Sequence, residues 1–236
     1  MKKILSCVSI MLIFLTAMLF ASCDEHEVED LSIHPGHILC NDGTVMPASD
    51  FFASAHKIPV AVIFTDQFKE DDHATRYLAV TVKELPCLAL CDSVNMVQGT
   101  NTDVNALAGD QNTVALQNSY DSRTNHGSPL ADCVFAGHIY GQSDFIASAK
   151  EMKLLYYQRS LVNSVLQRIN EKFPGYADVL YTEATDSCWY WTSTEVAANP
   201  GKQAWLFSMP SGSLRETPKV EPHAARAVVS YYPFNE

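Results

Sequence analysis

Positive charge is scarce in this chain: 16 Lys and Arg stand against 27 Asp and Glu over 236 residues, a net charge of −11. A surface of that sign repels phosphate backbones, so nucleic acid is not expected as a partner. A second closely spaced cysteine pair is also missing. Cys87 and Cys91 are flanked by Leu85, Pro86 and Leu88, and no second pair completes four ligands, so no zinc site is expected. Residues 34–236 contain no internal repeat and no low-complexity linker, which points to one folded domain. Long apolar runs are absent but for one, the 17 residues Ile4–Phe20, which Ser6, Cys7, Ser9 and Thr16 interrupt. It falls short of the roughly 20 residues that cross a bilayer as a helix.

That single run explains the start of the chain. Lys2 and Lys3 precede it, and Ala21-Ser22-Cys23 closes it, the order of a secretory signal followed by a lipid-attachment cysteine. The segment resembles a bacterial lipobox, with Phe20 where Leu is usual. The expectation is a signal peptide over residues 1–22, a lipidated acidic tether over 23–35 and a single domain over 36–236. Loss of residues 1–22 would carry away Lys2 and Lys3 and take the net charge from −11 to −13. Behind Cys23, Asp24-Glu25-His26-Glu27-Val28-Glu29-Asp30 repels itself and stays extended. Such acids resemble a surface-sorting signal in some Gram-negative groups and an inner-membrane retention signal in others. The partner implied is a membrane, held through Cys23, at the outer membrane or surface of a Gram-negative cell.

Cys40, Cys87, Cys91, Cys133 and Cys188 remain. Five is odd, so at least one is free or paired between chains. Buried free thiols are expected, with one disulfide left open by the extracytosolic setting.

The order of patterns is strands, then helices, then strands, which implies α+β with an antiparallel sheet and flanking helices. His37–Cys40 reads as a strand entering the turn Asn41-Asp42-Gly43-Thr44. Pro59–Phe64 and Arg76–Val82 read as a hairpin around a polar loop. A short helix is expected near Thr113–Asn118, and Ser128-Pro129 starts another. Ser148-Ala-Lys-Glu151 has the form of a capping box, Ser160 caps a second segment, and Phe173-Pro174-Gly175 stops it. Cys188–Thr192, Gln203–Ser208 and Arg226–Tyr232 read as strands.

Tyr190-Trp191-Thr192-Ser193-Thr194-Glu195, followed by Ala204-Trp205, Gly212 and Arg226-Ala227-Val228, resembles the Lcl C-terminal domain family. Ser148–Tyr156 and Val162-Asn163 are similar to that family's helix and its sequel. Ala147 and Ala227 stand where the family has Pro. The resemblance runs from about residue 145 to 232 and more loosely back to Gly36. It implies a C-type-lectin-like fold, shared with formylglycine-generating enzymes, in which the terminal strands pair.

The function expected is a non-enzymatic binding or adhesion module for a glycan or a protein ligand. The alternatives are a structural or accessory subunit of an envelope assembly and a formylglycine-generating-type enzyme. Sugar stacking would use Trp189, Trp191 and Trp205, with Asn199 in their loop. The calcium-and-sugar motifs of C-type lectins, Glu-Pro-Asn or Gln-Pro-Asp with Trp-Asn-Asp, are absent. Asp66–His73 lacks the ligand spacing of an EF-hand, and His34-Pro-Gly-His37 reads as the end of the tether. Cys188 with His138 or His223 has no spacing that makes a thiol and base, and no cysteine pair accompanies it. No cofactor, metal or catalytic residue is assigned. In the hexapeptide, Thr192, Ser193 and Thr194 bond nearby backbone, and Glu195 takes Arg226 as a partner.

Replacement of Cys23 by Ser is expected to abolish incorporation of radiolabelled palmitate in cells. Labelling that survives the change refutes the lipid site.

Overall fold

The computed structural model of the chain describes residues 32–53, 56–69, 75–93, 97–137, 143–185 and 188–233. Cys23, the signal segment and most of the tether lie outside them, as do His138 and the carboxylates Glu70, Asp71 and Asp72. No helix among the described residues is long and apolar enough to cross a membrane.

Twelve strands and four helices alternate along these residues. A first sheet of seven strands has the order β2 (Val45–Met46), β1 (Ile38–Cys40), β3 (Pro59–Ile63), β5 (Thr75–Thr81), β12 (Ala227–Tyr231) and β7 (Ser143–Ile146), with β4 (Phe68–Lys69) also on β5. All its pairings are antiparallel. A second sheet has the order β10 (Leu214–Pro218), β9 (Gln203–Ser208), β8 (Trp189–Glu195), β11 (Pro222–Ala225) and β6 (Leu85–Ala89). Its β11–β8 pairing is parallel, through Ala224 and Tyr190. The fold is therefore mixed α and β with two sheets rich in antiparallel pairs. The first and last strands share a sheet without pairing, since β3 and β5 stand between them.

Local chemistry sets most boundaries. Gly43 takes φ +82° in the turn between β1 and β2, where Thr44 N donates to Asp42 Oδ1. Helix α1 covers Ala48–Ala53, α2 Gly109–Gln117, α3 Pro129–Ala136 and α4 Ala149–Lys172. Ser128 caps α3 by accepting from Ala131 N at 3.1 Å, and its hydroxyl donates to Leu90 O at 2.6 Å. Ser148 and Glu151 complete the capping box of α4. Helix α4 runs unbroken through Ser160, where a second start was expected. Neither Gly nor Pro interrupts it, and Met152, Leu155, Val162, Val165, Leu166 and Ile169 keep one buried face in phase. Each such side chain contributes about 1.5–3 kcal/mol by leaving water. Phe173 then ends the helix, with Gly175 at φ +71°.

That face of α4 packs with Val62, Leu78, Val80, Phe145 and Val228 of the first sheet and with Tyr190 and Phe207 of the second. The opposite face of the second sheet, with Trp191, Leu206 and Ala225, meets Ala115 and Leu116 of α2 and Leu130, Ala131 and Val134 of α3. Strand β6 carries Pro86, which has no amide to donate, and it stands at the sheet's edge.

Gly109 opens α2 where no side chain fits. A Cβ there would lie 2.6 Å from the Phe145 ring and collide with the Glu151 carboxyl. Gly109→Ala is expected to lower stability by about 1–3 kcal/mol, measured as a shift in urea midpoint at unchanged slope.

Candidate functional site

The residues expected to stack on a sugar are not brought together. Trp191 is fully buried, its Nε1 donates to Leu88 O at 3.0 Å, and His223 meets its ring edge-on at 5.3 Å. It offers no free face. Trp189 shares the Trp191 side of β8, is half-buried, and lies under the Arg215 guanidinium at 4.5 Å. Trp205 is half-buried in β9, one residue off the register that places Leu206 against Trp191. Its carbonyl accepts from Thr192 Oγ1 at 2.8 Å. Asn199 sits in the β8–β9 turn, where its side chain donates to Gln203 Oε1. The three rings therefore do not share one open face: Trp191 is buried, and alternation along β9 puts Trp205 on the side of the sheet opposite Trp189 and Trp191.

The hexapeptide is spent on internal bonds. Tyr190 and Tyr181 stack at 4.9 Å, and both hydroxyls donate to the Glu84 carboxylate at 3.0 Å. Burial pushes the Tyr181 phenol up to about 12 and the Tyr190 phenol upward as well. Ala149 N donates to Thr194 Oγ1, and Ser193 N to Ala147 O. Glu195 pairs with Lys219 at 2.7 Å, both fully buried, and accepts from Thr100 Oγ1 at 2.6 Å. Arg226 is not its partner. That guanidinium donates to the carbonyls of Thr81 and Asp178. The turn between β10 and β11 delivers Lys219 instead, which no local signal in the sequence announces.

The thiols of Cys40, Cys91 and Cys188 are free and buried, Cys133 is free and partly buried, and Cys87 is free but exposed. Burial pushes Cys91 up to about 11, which keeps its thiol protonated. Cys188 Sγ lies 3.7 Å from Ser208 Oγ. Among the described residues no group of three or more His, Cys, Asp or Glu is arranged to hold a metal ion.

Two of the cavities border α2. The first, about 430 Å³, lies along Cys91–Gly127 and includes Asp121, Thr124 and His126. Its charged groups are already engaged. Asp121 accepts from Arg123, and Asp92 Oδ1 takes the Gly127 amide and faces His126 at 3.3 Å. The second, about 460 Å³, is a cleft lined by α2, α3, β7 and the end of β12. Thr113 fixes α2 to β7 by accepting from Ile146 N at 2.9 Å and donating to Gly109 O at 2.6 Å.

The cleft presents exposed apolar groups beside polar ones: Val114, Phe135 and Tyr232 with Asp110, Gln111, Asp144 and Ser230. Ser230 is 2% exposed and its hydroxyl has no hydrogen-bond partner among the described residues. A buried unpaired hydroxyl costs about 1–3 kcal/mol, so its place in the lining is informative. Asp110 Oδ2 lies 3.5 Å from Arg76, which sits beneath the cleft at 2% exposure. Among the described residues no cation pairs with Asp144, and burial pushes its carboxyl up to about 7. Carboxyls raised in this way occur at functional sites and at structural ones such as Glu151; what distinguishes Asp144 is its place in the lining of a cleft. None of these residues was singled out from the sequence as a binding group. The one signal available was an aspartate inside the short strand Ser143-Asp-Phe-Ile146.

No protein-family model matches the chain, and no curated protein and no solved structure matches it either.

The raised Asp144 carboxyl sets a sign for stability. The folded chain keeps a proton that the unfolded chain releases near its ordinary value of about 3.9, so stability falls as pH rises from about 4 to about 7 and is level above. Asp144→Asn is expected to match the parent at the acid end and to exceed it by about 2 kcal/mol above neutrality, allowing for partial solvent screening. Thermal melts across that range check this, and parallel curves for the two proteins refute it.

Proposed function

We propose that this chain is a lipid-anchored envelope or cell-surface lipoprotein whose domain, C-type-lectin-like and related to the Lcl C-terminal family, binds a glycan without catalysing its turnover. The carrying observation is the cleft between α2, α3, β7 and β12. Sugars are recognised by an aromatic ring against their C–H face and by carboxylate, amide and hydroxyl groups around their hydroxyls. Tyr232 and Phe135 supply the first kind of group, and Asp110, Gln111, Asp144 and Ser230 the second. The buried state of Trp191 moves the binding surface away from the tryptophan strand.

The fold reading is supported by the first and last strands sharing one sheet, with the difference that β3 and β5 stand between them where the resemblance implies direct pairing. The non-catalytic reading is supported by the thiols. Cys91 is held protonated by burial, and Cys188 contacts a serine hydroxyl and not a base.

Full-length protein in detergent is expected to bind a subset of glycans on an array, and Tyr232→Ala to lose about tenfold in affinity for them. Stable recovery of envelope proteins with no glycan signal favours the accessory-subunit reading instead. Chemical conversion of a bound glycan, lost in the same variant, overturns the non-enzymatic assignment.

A further inference from the structure

The charge around the cleft narrows what sugar it takes, on the premise that it is a glycan site. Among the described residues no Lys, Arg or His lines it, and Arg76, which faces Asp110 and Glu151, is 2% exposed. Uronates, sialic acids and sulfated sugars would bring a second negative charge towards two carboxyls without a counter-charge at the surface. A neutral sugar would displace water from the Asp144 carboxyl and offer it no counter-charge. A protonated amine does neither. It supplies the cation that Asp144 lacks, and it gains from the Tyr232 and Phe135 rings as well. The Ser230 hydroxyl, buried and without a partner among the described residues, remains to bond a ring hydroxyl or the amine itself.

We infer that the cleft selects glycans whose sugar carries a free, non-acetylated amine, with the ammonium taken up by the carboxyls of Asp144 and Asp110 and the ring set against Tyr232. Asp144 carries most of the selection, because the charge on Asp110 is already shared with Arg76. The inference rests on the glycan reading above and adds the class of sugar.

Isothermal titration of the full-length chain in detergent tests it, at near-neutral pH and an ionic strength of about 0.15 M. The probes are a glucosamine trimer, its fully N-acetylated counterpart and a uronate trimer. The glucosamine trimer is expected to bind about tenfold more tightly than the acetylated one, and the uronate trimer more weakly than either. Asp144→Asn is expected to reduce the ratio of amine to acetylated affinity to about one, with its fold checked by its melting profile. Glu171→Gln, at an exposed position on α4 that does not line the cleft, is expected to keep the full ratio. Equal or tighter binding of the acetylated or uronate trimer overturns the inference and leaves the glycan reading standing. So does an equal loss in the Glu171 variant, which would mark the preference as bulk attraction to an acidic protein. Absence of binding to all three trimers overturns the inference, and a blank glycan array separately overturns the glycan reading.

Discussion

The Glu151 carboxyl is the point at which the architecture is joined. Fully buried at the start of α4, it accepts the Ser148 amide at 2.6 Å and the Gly109 amide at 3.3 Å, and it faces Arg76 of β5 at 3.7 Å. One side chain thus closes the free amides of one helix, reaches the first turn of another and meets the guanidinium of a central strand. Burial pushes this carboxyl up to about 7, against the pull of those amides and of Arg76. Arg76 also lies over the rings of Phe68 and Phe145, at 5.5 and 5.9 Å. The same guanidinium supports Asp110 in the cleft. The placement of α2, and with it one wall of the candidate site, depends on this buried arrangement.

The second sheet shows why aromatic density is a poor guide to a binding face. Helix α4 and the first sheet cover one side of it, and α2 and α3 cover the other. A strand between two such layers can keep polar residues only if each is bonded internally. Thr192, Thr194 and Glu195 meet that demand, while the Ser193 hydroxyl stays unpaired. The buried Glu195–Lys219 pair is held by geometry as well as charge, since Thr100 satisfies the second carboxylate oxygen. The Tyr190–Glu195 hexapeptide is therefore a piece of interior construction, and the open chemistry sits at the rim of the first sheet.

What could be read in advance was local. Ser128 and Ser148 announce their helices because capping uses amides within three residues, and Phe173-Pro174-Gly175 announces an end for similar reasons. Ser160 misled because the same residue type sits at little cost on an exposed helix surface, where only the apolar phase decides. Strands β10 and β11 left little trace, since Leu-Arg-Glu-Thr-Pro is mostly exposed and Pro-His-Ala-Ala has no β-branched residue. The split into two sheets rests on pairings such as Ala224 with Tyr190, distant in sequence. The cleft was illegible for the same reason. Asp110, Phe135, Asp144 and Tyr232 belong to four separate segments, and only the packing of α2 and α3 against β7 and β12 makes them neighbours.

Pro86 has a consequence for the molecule among its own copies. A lipid-tethered population would be confined to a plane and held at high local concentration, where an open sheet margin could recruit a strand from a neighbour and propagate into a polymer. Strand β6 forms such a margin, but Pro86, its second residue, deletes a donor, and a foreign strand laid there would meet a gap in the ladder. Crowding at a surface would then raise encounters without extending the sheet through β6.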